Sequence, residues 1–165
     1  MRFVVVRDRA RIAAIAGVYA RGWQAYASSP GFAGKIKRTT TEAQAQQDRV
    51  ADSATYLAEH MSECPVLVIG CTTSRRLESV PVAQAASALA NILPAMWSFM
   101  LAARARGLGT AWTTIHLMME KEVADIVEIP FESMQQVCLS PVAFTMGTDF
   151  KPAVRPDPDT VIDWR

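Results

Sequence analysis

The side chains best suited to metal or thiol chemistry are three cysteines and two histidines, Cys64, Cys71, Cys138, His60 and His116. Cys64 and Cys71 are seven residues apart on an apolar run typical of a strand, where alternation places them on opposite faces. Neither histidine has a carboxylate at the helical spacing of a zinc motif. The odd number of widely spaced cysteines predicts buried thiols in a reducing compartment, the cytoplasm, and no metal centre.

The sequence also lacks the common motifs of nucleophilic and nucleotide chemistry. It contains no Gly-x-Ser-x-Gly nucleophile elbow and no P-loop. Gly107-Leu108-Gly109 is half of a dinucleotide fingerprint, but it follows a predicted helix and not a strand. We therefore assign no catalytic side chain and exclude Rossmann-type binding.

The charge balance argues against nucleic acids and acidic lipids as partners. The 165 residues carry 17 basic and 16 acidic side chains, a net charge of +1. Ser79 to Ala103 has no charge and is long enough to span a bilayer. Its polar residues, two prolines and many alanines favour a buried helix of a soluble protein over a membrane span.

That uncharged stretch belongs to the segment around which the chain is organised. A helix is predicted from near Pro81 to Arg106, and it is apolar on nearly every side, as expected of a helix in the core or at an interface. Gly107 can adopt the left-handed conformation that ends a helix. Gly109 to Ile115 is rich in β-branched and aromatic residues and predicts a strand.

The segments before this helix predict two strands and two helices. Phe3 to Val6 and Pro65 to Cys71 are short apolar runs typical of buried strands, the second of them central in its sheet. Helical patterns cover Arg9 to Tyr19 and Thr41 to about His60. In the second helix, Thr41 and Gln44 form a possible capping box, and an apolar stripe is expected to face the core, comprising Val50, Ala54, Leu57 and Met61.

A loop is predicted between these two helices, at residues 22 to 38, because glycines, serines and a proline punctuate it. Its aromatic residues are Trp23, Tyr26 and Phe32. Two interpretations stay open for them: they pin the loop to the protein surface, or they contact a substrate.

After the central segment, the pattern predicts a helix, a strand and an extended arm. Met118 to Glu128 is amphipathic, and Gln135 to Met146 is typical of a strand in which Pro141 indicates an edge position or a bulge. The arm, from about residue 148 to 165, is rich in proline. Its apolar anchors, Val161, Ile162 and Trp164, are expected to be docked, and the whole chain is expected to form a single domain.

Four segments in this order resemble the FMN-dependent nitroreductase family: MRFVVVRD at the start, CPVLVIG from Cys64, MLAARARGLGTAWTTIH from Met100, and MGTDFKPAVR from Met146. The resemblance implies an α+β fold of three α/β/α layers, with a mostly antiparallel sheet and a long buried central helix. It also implies a homodimer in which the C-terminal arm crosses to the partner. The family's N-terminal flavin-binding segment has no counterpart ahead of Phe3.

The resemblance also implies a flavin site. Trp112, Thr113, Thr114 and Ile115 would pass the flavin ring, where their backbone could hydrogen-bond N5 and O4, and Lys151 and Arg155 would reach the FMN phosphate. The alternatives are ordinary strand residues at Thr113 and Thr114 and solvated cations at Lys151 and Arg155.

The implied activity is ping-pong hydride transfer from NAD(P)H to FMN and then to an electron-poor small molecule, such as a nitroaromatic or a quinone. The alternative is a catalytically silent, truncated homologue that acts as a dimeric interaction protein. A start of the natural protein upstream of Met1 is a third interpretation.

Overall fold

The structure, a computed structural model, describes residues 1–73, 76–147, 149–150, 152–153 and 155–165. Its strands are β1 (Arg2–Val6), β2 (Val66–Thr72), β3 (Leu108–Thr110) and β4 (Gln135–Phe144). Its α-helices are α1 (Arg9–Ser28), α2 (Thr41–His60), α3 (Val82–Arg104) and α4 (Glu120–Ile126). Short 3-10 helices occupy Ala33–Lys35, Met61–Glu63, Leu77–Ser79, Ile115–Met119 and Pro158–Thr160.

The described strands form one antiparallel sheet in the order β1-β2-β4-β3. β2 is an interior strand, as its unbroken apolar sequence predicts. Side chains alternate between the two faces of the sheet: Leu67 and Ile69 join a cluster with α1, while Val68 joins a cluster with Met96 of α3. The predicted α+β architecture of helices on both faces of an antiparallel sheet is confirmed.

Pro141 does not lie on an edge strand or in a bulge, so that prediction is wrong. β4 is interior, and Pro141 lies opposite Leu67 of β2. Leu139 exchanges backbone hydrogen bonds with Thr113 on the other side, so two residues along, Pro141 faces that same side. Since proline has no N–H, the pairing of β3 with β4 stops at Thr110 and resumes only as an isolated bridge at Thr113.

The predicted strand from Gly109 to Ile115 is therefore too long. β3 ends at Thr110, and Ile115 already begins a 3-10 helix. The following α-helix is correspondingly shorter than predicted, because it begins at Glu120 and not at Met118. The strand predicted to Met146 ends at Phe144.

α1 continues to Ser28, nine residues beyond the predicted end at Tyr19. Gly22 is inside this helix and packs closely against Ile115: a Cβ atom there would lie 3.0 Å from the Ile115 Cγ2 atom. Gly22 therefore allows a close contact between α1 and Ile115 and does not form a turn. The predicted loop thus begins about seven residues too early.

The start of α2 was predicted within one residue. The N-cap is Thr40, whose hydroxyl accepts a hydrogen bond from the backbone N–H of Ala43 at 3.2 Å. Gln44 does not complete a capping box with Thr41, because its Oε1 accepts from the N–H of Arg38 at 2.9 Å. The helix end at His60 is confirmed.

α3 begins after Pro81, includes Pro94 and ends at Arg104, two residues before the predicted end at Arg106. Gly107 adopts the predicted left-handed conformation with a φ of 76°. Only its sheet-facing side is buried, at Ile92, Met96 and Ala103, whereas Trp97 is 54% and Leu101 55% exposed. The prediction of burial on all sides is wrong for the single chain, because the sheet covers one face. By length and composition α3 could also cross a membrane.

The C-terminal arm also has exposed apolar side chains. Val161 and Trp164 are 66% and 82% exposed, so the expected docking does not occur on the chain's own surface. Phe150 lies 3.7 Å below the Arg104 guanidinium carbon, which ties the start of the arm to the end of α3.

Candidate functional site

A cavity of about 900 Å³ lies between α1, α2, the segment from 111 to 115 and the C-terminal arm. This volume is near the upper end of the range of about 300–1,000 Å³ that is typical of small-molecule and cofactor sites. The described lining residues are Tyr19, Trp23, Tyr26, Gln46, Arg49, Val50, Ser53, Ala54, Leu57, Ala111, Trp112, Thr113, Thr114, Ile115, Met118, Pro152, Ala153 and Arg155.

The segment from Ala111 to Ile115 is held by Thr113. Its backbone N–H and C=O both pair with Leu139 at 2.9 Å, and its hydroxyl lies 2.9 Å from the Tyr19 hydroxyl. In an extended chain, successive residues direct their backbone polar groups to opposite sides. The N–H and C=O of Trp112 are therefore directed away from β4, at the edge of the sheet, where a ligand could bond them.

The α1 wall is aromatic. Trp23 and Tyr26 line the cavity, and both pack against Phe32, with ring centroids 5.7 and 5.4 Å apart and the rings near perpendicular. The Tyr26 hydroxyl also accepts a hydrogen bond from the Ala33 N–H at 3.0 Å. The three aromatic residues thus form one cluster, two members of which reach the cavity.

The α2 wall is formed by the stripe that the sequence predicted to face the core. Val50, Ala54 and Leu57 line the cavity, and Val50 is 51% exposed, whereas Met61 is fully buried. The predicted helical spacing was therefore correct, but the stripe does not face the core along its whole length. Met61 joins the core cluster with α1, whereas Val50, Ala54 and Leu57 face the cavity.

The described charged residues around the cavity are both cationic, Arg49 on α2 and Arg155 on the arm. Among the described residues neither forms an ion pair. Burial raises the pKa of Tyr19, and its hydrogen bond to Thr113 lowers that pKa by less, so the phenol stays neutral at pH 7. The described lining is thus net positive, which suits an anionic ligand.

The cysteines and His116 show no sign of a reactive site. Burial raises the pKa of Cys71 to about 12 and that of Cys138 to about 11, which keeps both thiols protonated. Burial lowers the pKa of His116 to about 4, so its ring is neutral at pH 7. Across the described part of the chain, no three His, Cys, Asp or Glu side chains are grouped to hold a metal.

The sequence pattern of the nitroreductase family matches residues 1–148. The chain belongs to the nitroreductase family. Membership supports a general oxidoreductase function and agrees with the observed α+β fold.

Solved structures resemble this nitroreductase-family chain at low sequence identity. A BluB-like flavoprotein from Clostridium difficile 630 is 17% identical, with a TM-score of 0.57, covering 99% of this chain and 78% of the other. The FMN and NADPH-dependent nitroreductase NfnB from Sphigopyxis sp. strain HMH is 16% identical, with a TM-score of 0.56 and coverages of 99% and 79%. A nitroreductase-like family protein from Bacillus cereus is 13% identical, with a TM-score of 0.57 and coverages of 96% and 70%.

These identities establish a shared fold and no more. A comparison with curated protein sequences gave no match.

Of the site residues predicted for this nitroreductase-family chain, the structure brings Trp112, Thr113, Thr114, Ile115 and Arg155 to one cavity. Lys151 lies outside the described residues. Sequence reasoning missed Tyr19 and Arg49 as lining residues. The signal for Tyr19 was its place on the inner face of α1, and that for Arg49 was its place beside Val50 on the stripe of α2.

Proposed function

We propose that this chain is an FMN-dependent oxidoreductase that uses NAD(P)H to reduce small electron-poor acceptors, such as nitroaromatics and quinones. The proposal is supported by family membership and by the cavity. The single observation that carries it is that Trp112 to Ile115 and Arg155, separated in sequence, line the same large cavity.

The described lining fits FMN in its chemistry. A flavin needs an apolar slot for its ring, polar groups at its pyrimidine edge and cations for its phosphate. Leu57 and Trp23 are apolar lining, the outward backbone edge at Trp112 offers a donor and an acceptor, and Arg155 offers a guanidinium. When bound, FMN supplies two-electron hydride chemistry that no side chain could provide.

The protein's own role is then to bind and orient its ligands and to exclude water. Tyr19, neutral and buried, fixes Thr113 and thereby the backbone beside the ring. Trp23 and Tyr26 provide ring surfaces against which a flat acceptor could pack. Lys151 remains a predicted second phosphate contact from the family resemblance.

We further propose that the protein is a homodimer that covers the exposed side of α3. In the single chain, the large apolar side chains of Trp97 and Leu101 are exposed to solvent. Phe3 and Val5 of β1 are also apolar, and they are 40% and 57% exposed. Apolar surface of this kind is typical of obligate interfaces. A dimer explains the composition of α3 without a membrane.

The cytoplasm is the proposed location. Its support is that the three cysteines are free thiols, two of them buried, as expected in a reducing compartment. Fractionation of cells that produce the full natural protein would test this.

The test is FMN binding by the purified chain, measured by fluorescence titration and by retention of the flavin band through gel filtration. We expect one FMN per subunit and about tenfold weaker binding in Arg155→Gln, because a charge-assisted contact to phosphate is lost. Lys121→Gln, which removes a cation from α4 outside the cavity lining, should bind FMN as the wild type does.

A folded chain that retains no FMN would contradict the proposal and favour the silent homologue. If FMN is retained, NAD(P)H oxidation is followed with and without a nitroaromatic or quinone. Oxidation that does not depend on these acceptors would refute the substrate class while leaving the cofactor in place.

A further inference from the structure

The α2 wall of the cavity is a single helical stripe that carries a polar row and an apolar row of side chains. Its lining residues follow at steps of three, one, three, one and three: Gln46, Arg49, Val50, Ser53, Ala54 and Leu57. At a rise of about 1.5 Å per residue the stripe is about 16 Å long. Along the stripe a polar row, Gln46, Arg49 and Ser53, runs beside an apolar row, Val50, Ala54 and Leu57.

Arg49 and Ser53 lie one helical turn apart on this stripe, so their Cβ atoms are about 5–6 Å apart. Both are exposed to the cavity, and the side chains of both lack a hydrogen-bond partner among the described residues. The two side chains can therefore donate to one carboxylate or phosphate, while Val50 and Ala54 beside them can contact its apolar body.

We infer that Arg49, aided by Ser53, binds an anionic group on the second ligand of this cavity and selects for it over a neutral analogue. The inference rests on the proposed function, in which FMN occupies the cavity first. A carboxylate on an aromatic acceptor and the extra phosphate of NADPH relative to NADH offer the same anionic chemistry, and the experiment separates them.

Two features favour a ligand other than the FMN phosphate. Lys151 and Arg155 are the cations that the family resemblance assigns to that phosphate. Arg49 belongs to a different wall, more than 100 residues earlier in the chain than Arg155. In addition, the described lining contains no Asp or Glu that would neutralise Arg49. With Arg155 assigned to FMN, Arg49 remains an exposed cation of the cavity wall without an ion-pair partner among the described residues.

The experiment uses matched probe pairs of similar shape. Binding of 4-nitrobenzoate and 4-nitrobenzamide, and of NADP⁺ and NAD⁺, is measured by calorimetry on the full chain with and without FMN. The variants are Arg49→Gln, Arg155→Gln and the control Lys121→Gln, and FMN affinity is measured for each one.

We expect Arg49→Gln to weaken the binding of 4-nitrobenzoate or of NADP⁺ about tenfold or more. The affinities for FMN and for the member of that pair without the added anionic group should stay within about twofold. An effect on the nitrobenzoate pair alone identifies the acceptor as the anionic ligand, and an effect on the nucleotide pair alone identifies the hydride donor. Ser53→Ala should give a smaller loss in the same pair.

Three results would overturn the inference: equal losses for both members of each pair, no loss for any probe, or a loss of FMN affinity matching that of Arg155→Gln. The last would make Arg49 an FMN phosphate ligand. If the wild type binds no FMN at all, the proposed function fails, but calorimetry on the FMN-free chain still compares Arg49→Gln with the wild type.

Discussion

The hydroxyl groups of Tyr19 and Thr113 lie 2.9 Å apart in a buried contact that joins α1 to the strand segment beside the cavity. Thr113 is also the residue that pairs with Leu139 across the sheet. One side chain of α1 thus holds in place the backbone proposed to meet the flavin.

Tyr19→Phe removes this hydrogen bond and keeps the packing of the ring. We expect the free energy of unfolding to fall by about 1 kcal/mol, the usual net worth of such a bond, and FMN binding to weaken. Urea denaturation and FMN titration measure the two effects. Tyr56→Phe, at a 58% exposed residue of α2, is the control and should change stability by less than about 0.5 kcal/mol; equal losses in both variants would contradict the assigned role.

Because His116 is fully buried, we expect the folded protein to lose stability in acid. Burial lowers its pKa to about 4 in the folded protein, below the usual 6.5, so the unfolded chain binds the proton first. The contribution of His116 to the free energy of unfolding should stay intact above pH 6.5 and decrease as the pH drops from 6.5 to 4. The expected loss is roughly 3 kcal/mol.

Replacing His116 should remove that pH dependence. Neither ring nitrogen has a hydrogen-bond partner within the described part of the chain, so His116→Leu loses no bond and should flatten the stability curve between pH 6.5 and 4. Urea denaturation at a series of pH values measures it. The same slope in His116→Leu would show that other groups cause the acid response.

A nearly buried ion pair joins the segment before α3 to α4. Arg76 donates to both carboxylate oxygens of Glu120, at 2.7 and 3.0 Å, and the side chains are 16% and 9% exposed. Glu120 also accepts from the backbone N–H of Gln136 at 2.8 Å. Its hydrogen bonds to Arg76 keep the pKa of that guanidinium above its usual range.

Glu120→Gln leaves Arg76 with only the exposed carboxylate of Glu78, which its Nε meets at 3.0 Å, and should cost about 2 kcal/mol of unfolding free energy. Glu122→Gln is the matched control, because the ion pair of Glu122 with Arg21 is exposed and should be worth less than about 1 kcal/mol. Thermal and urea denaturation would decide; similar losses in the two variants would mean that burial adds nothing to the first pair.

The proposed dimer predicts a change of mass for a single substitution on α3. Trp97→Glu places a charge in the proposed apolar interface and should weaken association by at least about 2 kcal/mol, which light scattering after gel filtration would detect as a monomer. Since Trp97 is half exposed in the chain, circular dichroism should show an intact fold. Tyr56→Glu on α2 should remain dimeric, and a wild type that is already monomeric at micromolar concentration would refute the interface.

Local patterns in the sequence were sufficient where the determining interactions are local. The start of α2 follows from a threonine cap, the end of α3 from Gly107, and the central position of β2 from an unbroken apolar run. The family resemblance, carried by short segments in the right order, was sufficient for the fold class.

Only the tertiary structure decided the rest, because it depends on contacts between distant segments. Gly22 lies within a helix where Ile115 comes too close for a Cβ atom, and β3 stops at Thr110 because Pro141, distant in sequence, offers it no N–H. Likewise, the periodicity of α2 defines a stripe, but only the positions of α1 and the arm make that stripe a cavity wall and add Arg49 to the site. The spacing of residues along one element determines which side chains share a face. The packing of the other elements determines whether that face contacts the core, a cavity or solvent.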